Sequence, residues 1–314
     1  MANSELRFFY GTSHPVLGEQ ITKYLGLKTG EIKISRFSGG EIYSRITENV
    51  RGQSAVIFQT CTVNVNENLM ELFIIIDAMK RASAKSVTAV IPHFGYARQD
   101  RKAASREPIS ARLVANLLET AGADRIVTMD LHSDQIQGFF NIPMDTLTAL
   151  PIFINYIKSK NLKDVVVVAP DTGRAKVAKK LSDRIGANLA ILHKVRAEHH
   201  QSEVTHVVGD VKGKTVIITD DMIDTAGTIT NGVKTLKEAG CNPDIYVVAT
   251  HGIFSGSAVE KMSKAGFAEV VVTDSLPIPK EKQFKGLKIL SSAELLGAAI
   301  KRNYENQSIT SLFD

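Results

Sequence analysis

The chain has 314 residues, 44% of them hydrophobic and 23% charged, with a formal net charge of +5. That length predicts two domains, each able to bury a real core, and no low-complexity tract suggests disorder. The 38 basic residues are scattered among 33 acidic ones, which excludes a basic stripe for nucleic acid and leaves a weak bias toward a small anionic ligand.

Cys61 and Cys241 are isolated, without paired or metal-type spacing, so a reducing compartment is expected. The first residues, MANSELRFFYG, lack an apolar signal core. No stretch approaches the roughly 18 apolar residues of a membrane span. The expectation is a cytoplasmic protein with neither a nucleic acid nor a membrane as partner.

Short β-branched runs alternate with amphipathic segments of helix length. In chain order they predict strand Ala55–Gln59, helix Asn68–Ala82, strand Ser86–Ile91, helix Ile109–Ala121 and strand Arg125–Met129. Strand Asp164–Ala169, helix Ala175–Ile185 and strands Leu189–Leu192 and Thr215–Thr219 follow. Helix Thr228–Ala239, strand Ile245–Thr250, helix Ser257–Lys264 and strand Glu269–Thr273 complete the pattern. Near-continuous apolar strands alternating with helices imply parallel sheets covered on both faces, and this many strands need two sheets. The seam is expected near Pro143–Pro151, where two prolines bracket a helix-poor stretch. Residues 1–146 would form one domain and 147–314 the other, with about the last 25 residues packing back on the first.

A faint internal repeat supports duplication. RIVTMDLHSDQ (Arg125–Gln135) and VIITDDMIDTA (Val216–Ala226) both run from a strand through an acidic edge into a polar turn. In open α/β sheets ligands collect at the carboxyl ends of strands, so each repeat offers one site.

The stretch TVIITDDMIDTAGTITNGV, Thr215 to Val233, carries the chemistry. Asp220 and Asp221 leave the expected strand side by side, and ionised carboxylates accept hydrogen bonds without donating them. They suit a vicinal pair of sugar hydroxyls. Asp224, Thr225, Ala226, Gly227 and Thr228 then open a helix whose free backbone N–H groups can cradle a phosphate. A pentose phosphate satisfies both halves, with its 2- and 3-hydroxyls on the acids and its 5-phosphate in the turn. The plainer alternative is a helix capped by Asp224 or Thr225.

This stretch resembles the phosphoribosyl-binding loop shared by type I phosphoribosyltransferases and ribose-phosphate diphosphokinases, the PRPP synthetases. DLHSDQIQGFFNIPMD (Asp130–Asp145) is similar throughout to a signature of the diphosphokinases that the transferases lack. FGYARQDRK (Phe94–Lys102), SREPISARLVANLLETAGADRI (Ser105–Ile126), NLMEL (Asn68–Leu72), THGIFSG (Thr250–Gly256) and SLF (Ser311–Phe313) also match. The resemblance covers essentially the whole chain and points to the phosphate-activated bacterial type.

It implies two tandem type I phosphoribosyltransferase-like domains, each a mostly parallel sheet flanked by helices. The first would serve ATP and the second ribose 5-phosphate. The implied reaction moves the β,γ-diphosphoryl group of ATP to the 1-hydroxyl of ribose 5-phosphate, giving PRPP and AMP with Mg²⁺ as cofactor. Lys194 and Arg196, in the segment HKVRAEHHQSEV (His193–Val204), would close over the phosphates from a long loop. His132 and Asp171 would hold the metal. Arg98 and Gln99 would hold adenine and phosphate groups.

Phe37, Gly39 and Glu41 match a segment that covers the adenine of a neighbouring subunit, with Gly39 in place of the family's usual Asp or Asn. The family builds dimers that commonly assemble into hexamers. Arg51, Ser105, Arg106, Gln137, Ser308 and Phe313 match positions implicated in phosphate activation and ADP inhibition at a subunit interface. Val195 stands where a basic residue is frequent, and Arg174 stands in place of the family's usual second glycine. A phosphoribosyltransferase that consumes PRPP and a catalytically weak regulatory homologue are the competing possibilities.

Overall fold

The computed structural model describes residues 6–195 and 204–313. The chain divides into two compact units. The first comprises residues 1–148, 275–277 and 291–314, and the second residues 149–274 and 278–290.

In the first unit, β1 (Leu6–Tyr10), α1 (Pro15–Leu25), the hairpin of β2 (Ile32–Arg36) and β3 (Ile42–Ile46), and β4 (Ser54–Phe58) lead into α2 (Val65–Arg81). Then come β5 (Ser86–Ile91), α3 (Ser110–Ala121), β6 (Arg125–Met129) and β7 (Met144–Leu147). Five strands form one sheet in the order β1-β4-β5-β6-β7, and every pair in it is parallel. Their burial explains the parallel pairing: Val56, Ile57, Phe58, Val90, Ile91, Ile126 and Val127 are all inside. Such strands must be covered on both faces. Ile32, Ile34 and Ile46 of the separate antiparallel hairpin pack on this core, leaving the intervening side chains to solvent.

The second unit carries α4 (Leu150–Ser159), β8 (Val165–Ala169), α5 (Ala175–Ile185), β9 (Asn188–Val195), β10 (Val204–Val208), β11 (Thr215–Ile223) and α6 (Gly227–Glu238). β12 (Ile245–Gly252), α7 (Ala258–Lys264), β13 (Glu269–Thr273) and β14 (Leu287–Leu290) complete it. Its sheet order is β10-β9-β8-β11-β12-β13-β14, with β10 antiparallel and the rest parallel. From β8 the chain builds outward through β9 to β10, then returns to β11 and builds outward the other way. The order therefore reverses between β8 and β11, and the crevice beyond such a reversal is where open α/β sheets hold ligands. α8 (Ala293–Tyr304) follows β14 and belongs to the first unit, where it packs on α1.

Several expected elements change. Pro143–Pro151 carries a strand that the apolar pattern did not mark, since β7 runs to Leu147; α4 begins only at Leu150, with Pro151 at its permissive first turn, and the division between the units falls at 148/149 within this stretch. His193–Val204 is not wholly a loop: β9 continues to Val195 and pairs antiparallel with β10, Val195 opposite Val204. The strand expected over Thr215–Thr219 continues to Ile223, because Met222 and Ile223 pair with His251 and Gly252 of β12. Asp220 and Asp221 thus lie within a strand rather than past its end.

At the carboxyl end of β1, Glu71 of α2 is 2% exposed and holds the Gly11–Ser13 turn. Its carboxylate accepts from the Thr12 N–H at 2.6 Å, the Thr12 hydroxyl at 2.7 Å and Gln59 Nε2 at 2.8 Å. A Cβ on Gly11 would meet Glu71 Oε1 and Gln59 Oε1 at 2.5 Å, so only glycine fits there. Glu71→Ala removes the acceptor from three donors, but Thr12 is exposed to water and Gln59 Nε2 keeps the Asn68 carbonyl at 3.3 Å, so the loss is of the order of one buried bond, about 1–3 kcal/mol. The variant should unfold at lower urea concentration by an amount equivalent to about 1–3 kcal/mol. A midpoint unchanged from the wild type would show that water replaces the carboxylate freely.

Candidate active site

The second unit builds its site from β8 and β11, the two strands flanking the reversal. After β8, Pro170 and Asp171 lead into a 3-10 turn over Thr172–Arg174. Asp171 caps that turn, its Oδ1 accepting the Arg174 N–H at 3.1 Å. The cap turns the chain back and delivers the Arg174 side chain onto β11. There its Nε lies 3.4 Å from Asp220 Oδ1, and its Nη2 pairs with Asp221 Oδ2. Arg174 therefore neither points into solvent nor lies free for a phosphate; it bridges the acid pair.

The pair is sheltered. Asp221 is 6% exposed. Burial pushes the Asp220 carboxyl up to about 8 from its ordinary 3.8, and the hydrogen bond and charge of Asp221 push the same way. The positive charge of Arg174 and the Asp221 N–H, 2.8 Å from Asp220 Oδ1, pull it back only in part.

Beyond the acids the chain turns into α6 through Asp224, Thr225 and Ala226. Ala226 is the residue before the helix, in the left-handed region at φ 62°. Neither Asp224 nor Thr225 occupies the cap position of α6; Ala226 does, and an alanine brings no side-chain cap bond. The N–H groups of the first turn are thus unengaged by a side-chain cap. The first helical residue is itself uncrowded: a Cβ built on Gly227 meets nothing nearer than the Thr225 hydroxyl at 3.9 Å. The Thr230 hydroxyl turns inward to the Ala226 carbonyl at 2.9 Å, while Thr228 sits half-buried at the mouth of the turn.

The turn is fixed from behind by the segment after β12. Ile253 and Phe254 donate to the Ile223 carbonyl at 3.0 Å, and Ser255 donates to the Asp224 carbonyl at 2.9 Å. Lys261 of α7 reaches the Thr225 carbonyl at 3.4 Å. Neither the Arg174 bridge nor this Lys261 contact was legible from spacing, since both depend on pairings between distant elements.

The remaining residues fall as follows. Lys194 lies on β9 opposite Thr205, and Arg196 lies outside the described residues. Asp171 is exposed at the end of β8 in the second unit, and His132 is exposed after β6 in the first. Among the described residues no three of His, Cys, Asp and Glu gather into a metal-holding group.

Phe37, Gly39 and Glu41 form the tip of the β2–β3 hairpin, closed by the Phe37 N–H donating to the Glu41 carbonyl at 2.9 Å. Phe37 is 57% exposed, which rules out a core role, and meets Tyr43 edge-on at a centroid separation of 5.6 Å. A side chain at Gly39 would meet nothing within 4 Å, so glycine there is not a steric requirement.

Arg98 and Gln99 are exposed on the segment after β5, where Gln99 donates its N–H to the Tyr96 carbonyl and accepts from the Ser110 hydroxyl at 2.6 Å. Arg51, Ser105, Arg106, Gln137, Ser308 and Phe313 all belong to the first unit. Ser308 and Phe313 sit on the turn after α8, held by Arg302, whose Nη1 donates to the Ser308 carbonyl at 2.8 Å and also meets the Ser311 hydroxyl.

An acid pair and a helix start at a reversal in a parallel sheet mark an α/β protein with its candidate ligand crevice at the carboxyl ends of the strands, an arrangement that suits a phosphate-bearing ligand. Comparison with known proteins narrows the class. Residues 6–122 match the N-terminal domain of ribose phosphate pyrophosphokinase, and residues 200–314 match the phosphoribosyl synthetase-associated domain. The chain is 49% identical to the ribose-phosphate pyrophosphokinase of Bacillus cereus over 312 residues, covering 99% of this chain and 98% of the relative. It is 48% identical to that of Corynebacterium ammoniagenes, with the same coverage of both chains. The crystal structure of phosphoribosylpyrophosphate synthetase from Mycobacterium smegmatis superposes with a TM-score of 0.91 at 48% identity, over 96% of this chain and 99% of that one. The chain belongs to the ribose-phosphate pyrophosphokinase family.

The raised Asp220 carboxyl makes a pH prediction. The native state holds a proton between pH 3.8 and about 8 that the unfolded chain has released, so native stability falls as pH rises across that window. Asp220→Asn removes this loss. Its melting temperature relative to wild type should climb with pH from about 4 to about 8 and level off on either side. A difference that stays flat across the window would show that Asp220 titrates normally.

Proposed function

We propose that the chain transfers the β,γ-diphosphoryl group of ATP to the 1-hydroxyl of ribose 5-phosphate, releasing PRPP and AMP for nucleotide biosynthesis in the cytoplasm. The observation that carries this is the second unit's reversal point, where Asp220 and Asp221 stand one turn before the start of α6. Adjacent carboxylates accept from adjacent hydroxyls, and backbone N–H groups at a helix start favour a phosphate. A sugar phosphate uses both. Full-length similarity to ribose-phosphate pyrophosphokinases supports this over a phosphoribosyltransferase, and both carboxylates and the turn are intact, against a silent homologue.

In this scheme Asp220 and Asp221 take the 2- and 3-hydroxyls, while Asp224, Thr225, Ala226, Gly227 and Thr228 surround the 5-phosphate. Phe37 stacks on the adenine and Glu41 accepts from its amine, with Arg98 and Gln99 holding the nucleotide. Lys194 and Arg196 neutralise charge that spreads over the transferring group. His132 and Asp171 are the candidate holders of Mg²⁺. Asp171 suits a hydrated ion, since Mg²⁺ keeps several waters and needs only one or two carboxylates, and this one is exposed. When bound, the ion would offset the negative charge of the diphosphoryl group.

The exposed hairpin tip suits an adenine contributed to by two subunits, in a dimer that assembles into a hexamer. Phosphate and ADP are the effectors expected at Arg51, Ser105, Arg106, Gln137, Ser308 and Phe313. Two free cysteines fit a reducing compartment, and among the described residues no helix is long and apolar enough to cross a membrane.

AMP formation from ATP should depend on added ribose 5-phosphate. An equal rate without the sugar phosphate would defeat the proposal. Asp224→Ala and Thr228→Ala should raise the KM for ribose 5-phosphate at least about tenfold, as expected for losing roughly 1.4 kcal/mol of binding, with far less effect on the KM for ATP. Equal effects on both substrates would remove the turn from the sugar-phosphate site.

A further inference from the structure

Arg174 occupies the atoms a sugar would need. Its Nε and Nη2 are adjacent donors of one rigid planar fork, and one is directed at each carboxylate. A vicinal diol also presents two donors on neighbouring atoms. The guanidinium is thus an internal stand-in for the hydroxyl pair, and its side chain is only 15% exposed, so it is seated rather than draped over the surface. It reaches the acids from the strand on the other side of the reversal, through a turn that Asp171 caps.

We propose that Arg174 competes with the sugar hydroxyls for Asp220 and Asp221 and thereby sets the affinity and hydroxyl selectivity for ribose 5-phosphate. This rests on the assignment of the acid pair to the sugar. Two carboxyl groups side by side in a sheltered strand cannot both carry charge cheaply, so Asp220 keeps a proton, and the guanidinium across the pair offsets the negative charge that remains while the site is empty. Entry of the sugar requires the fork to turn away from at least one carboxylate. A ligand that must displace a seated group binds more weakly by the fraction of time the site is free. A phosphate ester without the hydroxyls has no means of displacing the fork, so the same competition selects for ribose.

The test is calorimetric titration of the full chain with ribose 5-phosphate and with 2-deoxyribose 5-phosphate, in the presence of Mg²⁺ and a non-hydrolysable ATP analogue. Arg174→Met keeps the stem and removes the fork. It should bind ribose 5-phosphate about tenfold more tightly than wild type if the fork holds the pair about nine-tenths of the time. Arg174→Lys keeps the charge that steadies the empty site but cannot bridge both acids with adjacent donors. It should fall between the two, and it carries the test should the Met variant fold poorly.

Unchanged or weaker binding of ribose 5-phosphate by the well-folded variants would overturn the competition and make Arg174 a residue that positions the acids. Asp221→Asn separates this failure from the other. If Asp221→Asn erases the preference for ribose over deoxyribose while the Arg174 variants do not tighten, the acid pair keeps its role and only the competition fails. If Asp221→Asn leaves that preference intact, the assignment of the pair to the sugar is wrong and the competition falls with it.

Discussion

Two carboxylates placed inside a buried parallel strand constrain everything around them. β11 stays extended through Asp220 and Asp221 because Met222 and Ile223 keep their pairing with β12 as far as Gly252. Pairing fixes the backbone on either side of Asp221, and because neighbouring side chains of a strand diverge, it is the Arg174 fork that meets both carboxylates at once. Charge of one sign is then concentrated where water is scarce, and Arg174 meets it from the neighbouring strand. The turn at Ala226 follows directly: a chain that leaves the sheet this late must reverse abruptly to start α6, and a left-handed residue accomplishes that.

Much of this was legible in the sequence where local rules dominate. Val165–Ala169 and Ile245–Thr250 are apolar runs that only a two-sided burial explains, and both lie in strands. Ala175–Ile185 carries its apolar stripe and ends at Gly186, and the helix has those bounds. Legibility failed where a partner far along the chain decides. Asp220-Asp221 breaks the apolar run of β11, so the strand looks finished at Thr219 until His251 and Gly252 are known to pair beyond it. His193–Val195 has the mixed charge of a loop, yet it is carried into β9 by Val204–His206. Residues 32–46 alternate around Gly39-Gly40 as a hairpin does, a pattern that apolar runs alone pass over.

The candidate site divides in the same way. Residue types and spacing brought Asp220–Thr228 together in advance because they share one strand–turn–helix. The Arg174 bridge depends on β8 and β11 being neighbours at a reversal of strand order, which no local spacing encodes. Glu71 is similar: it sits on a helix among apolar residues, and only the packing of α2 against the β1 turn reveals that it holds Thr12 and Gln59.

The route of the chain through its two units has a consequence for how the molecule is made. α8 packs on α1, Ser291 donates to Gln20, and Asn303 donates to Asp145, so the first unit joins residues nearly three hundred positions apart. During synthesis the ribosome completes the second unit's strands before residues 291–304 exist. The unit begun first is therefore the one finished last, and α1 waits with its partner face uncovered while β8 to β14 emerge. Contacts of such sequence separation are slow to form and leave apolar surface open in the interval. The nascent chain is most vulnerable to association at its amino-terminal end, long after that end has left the ribosome.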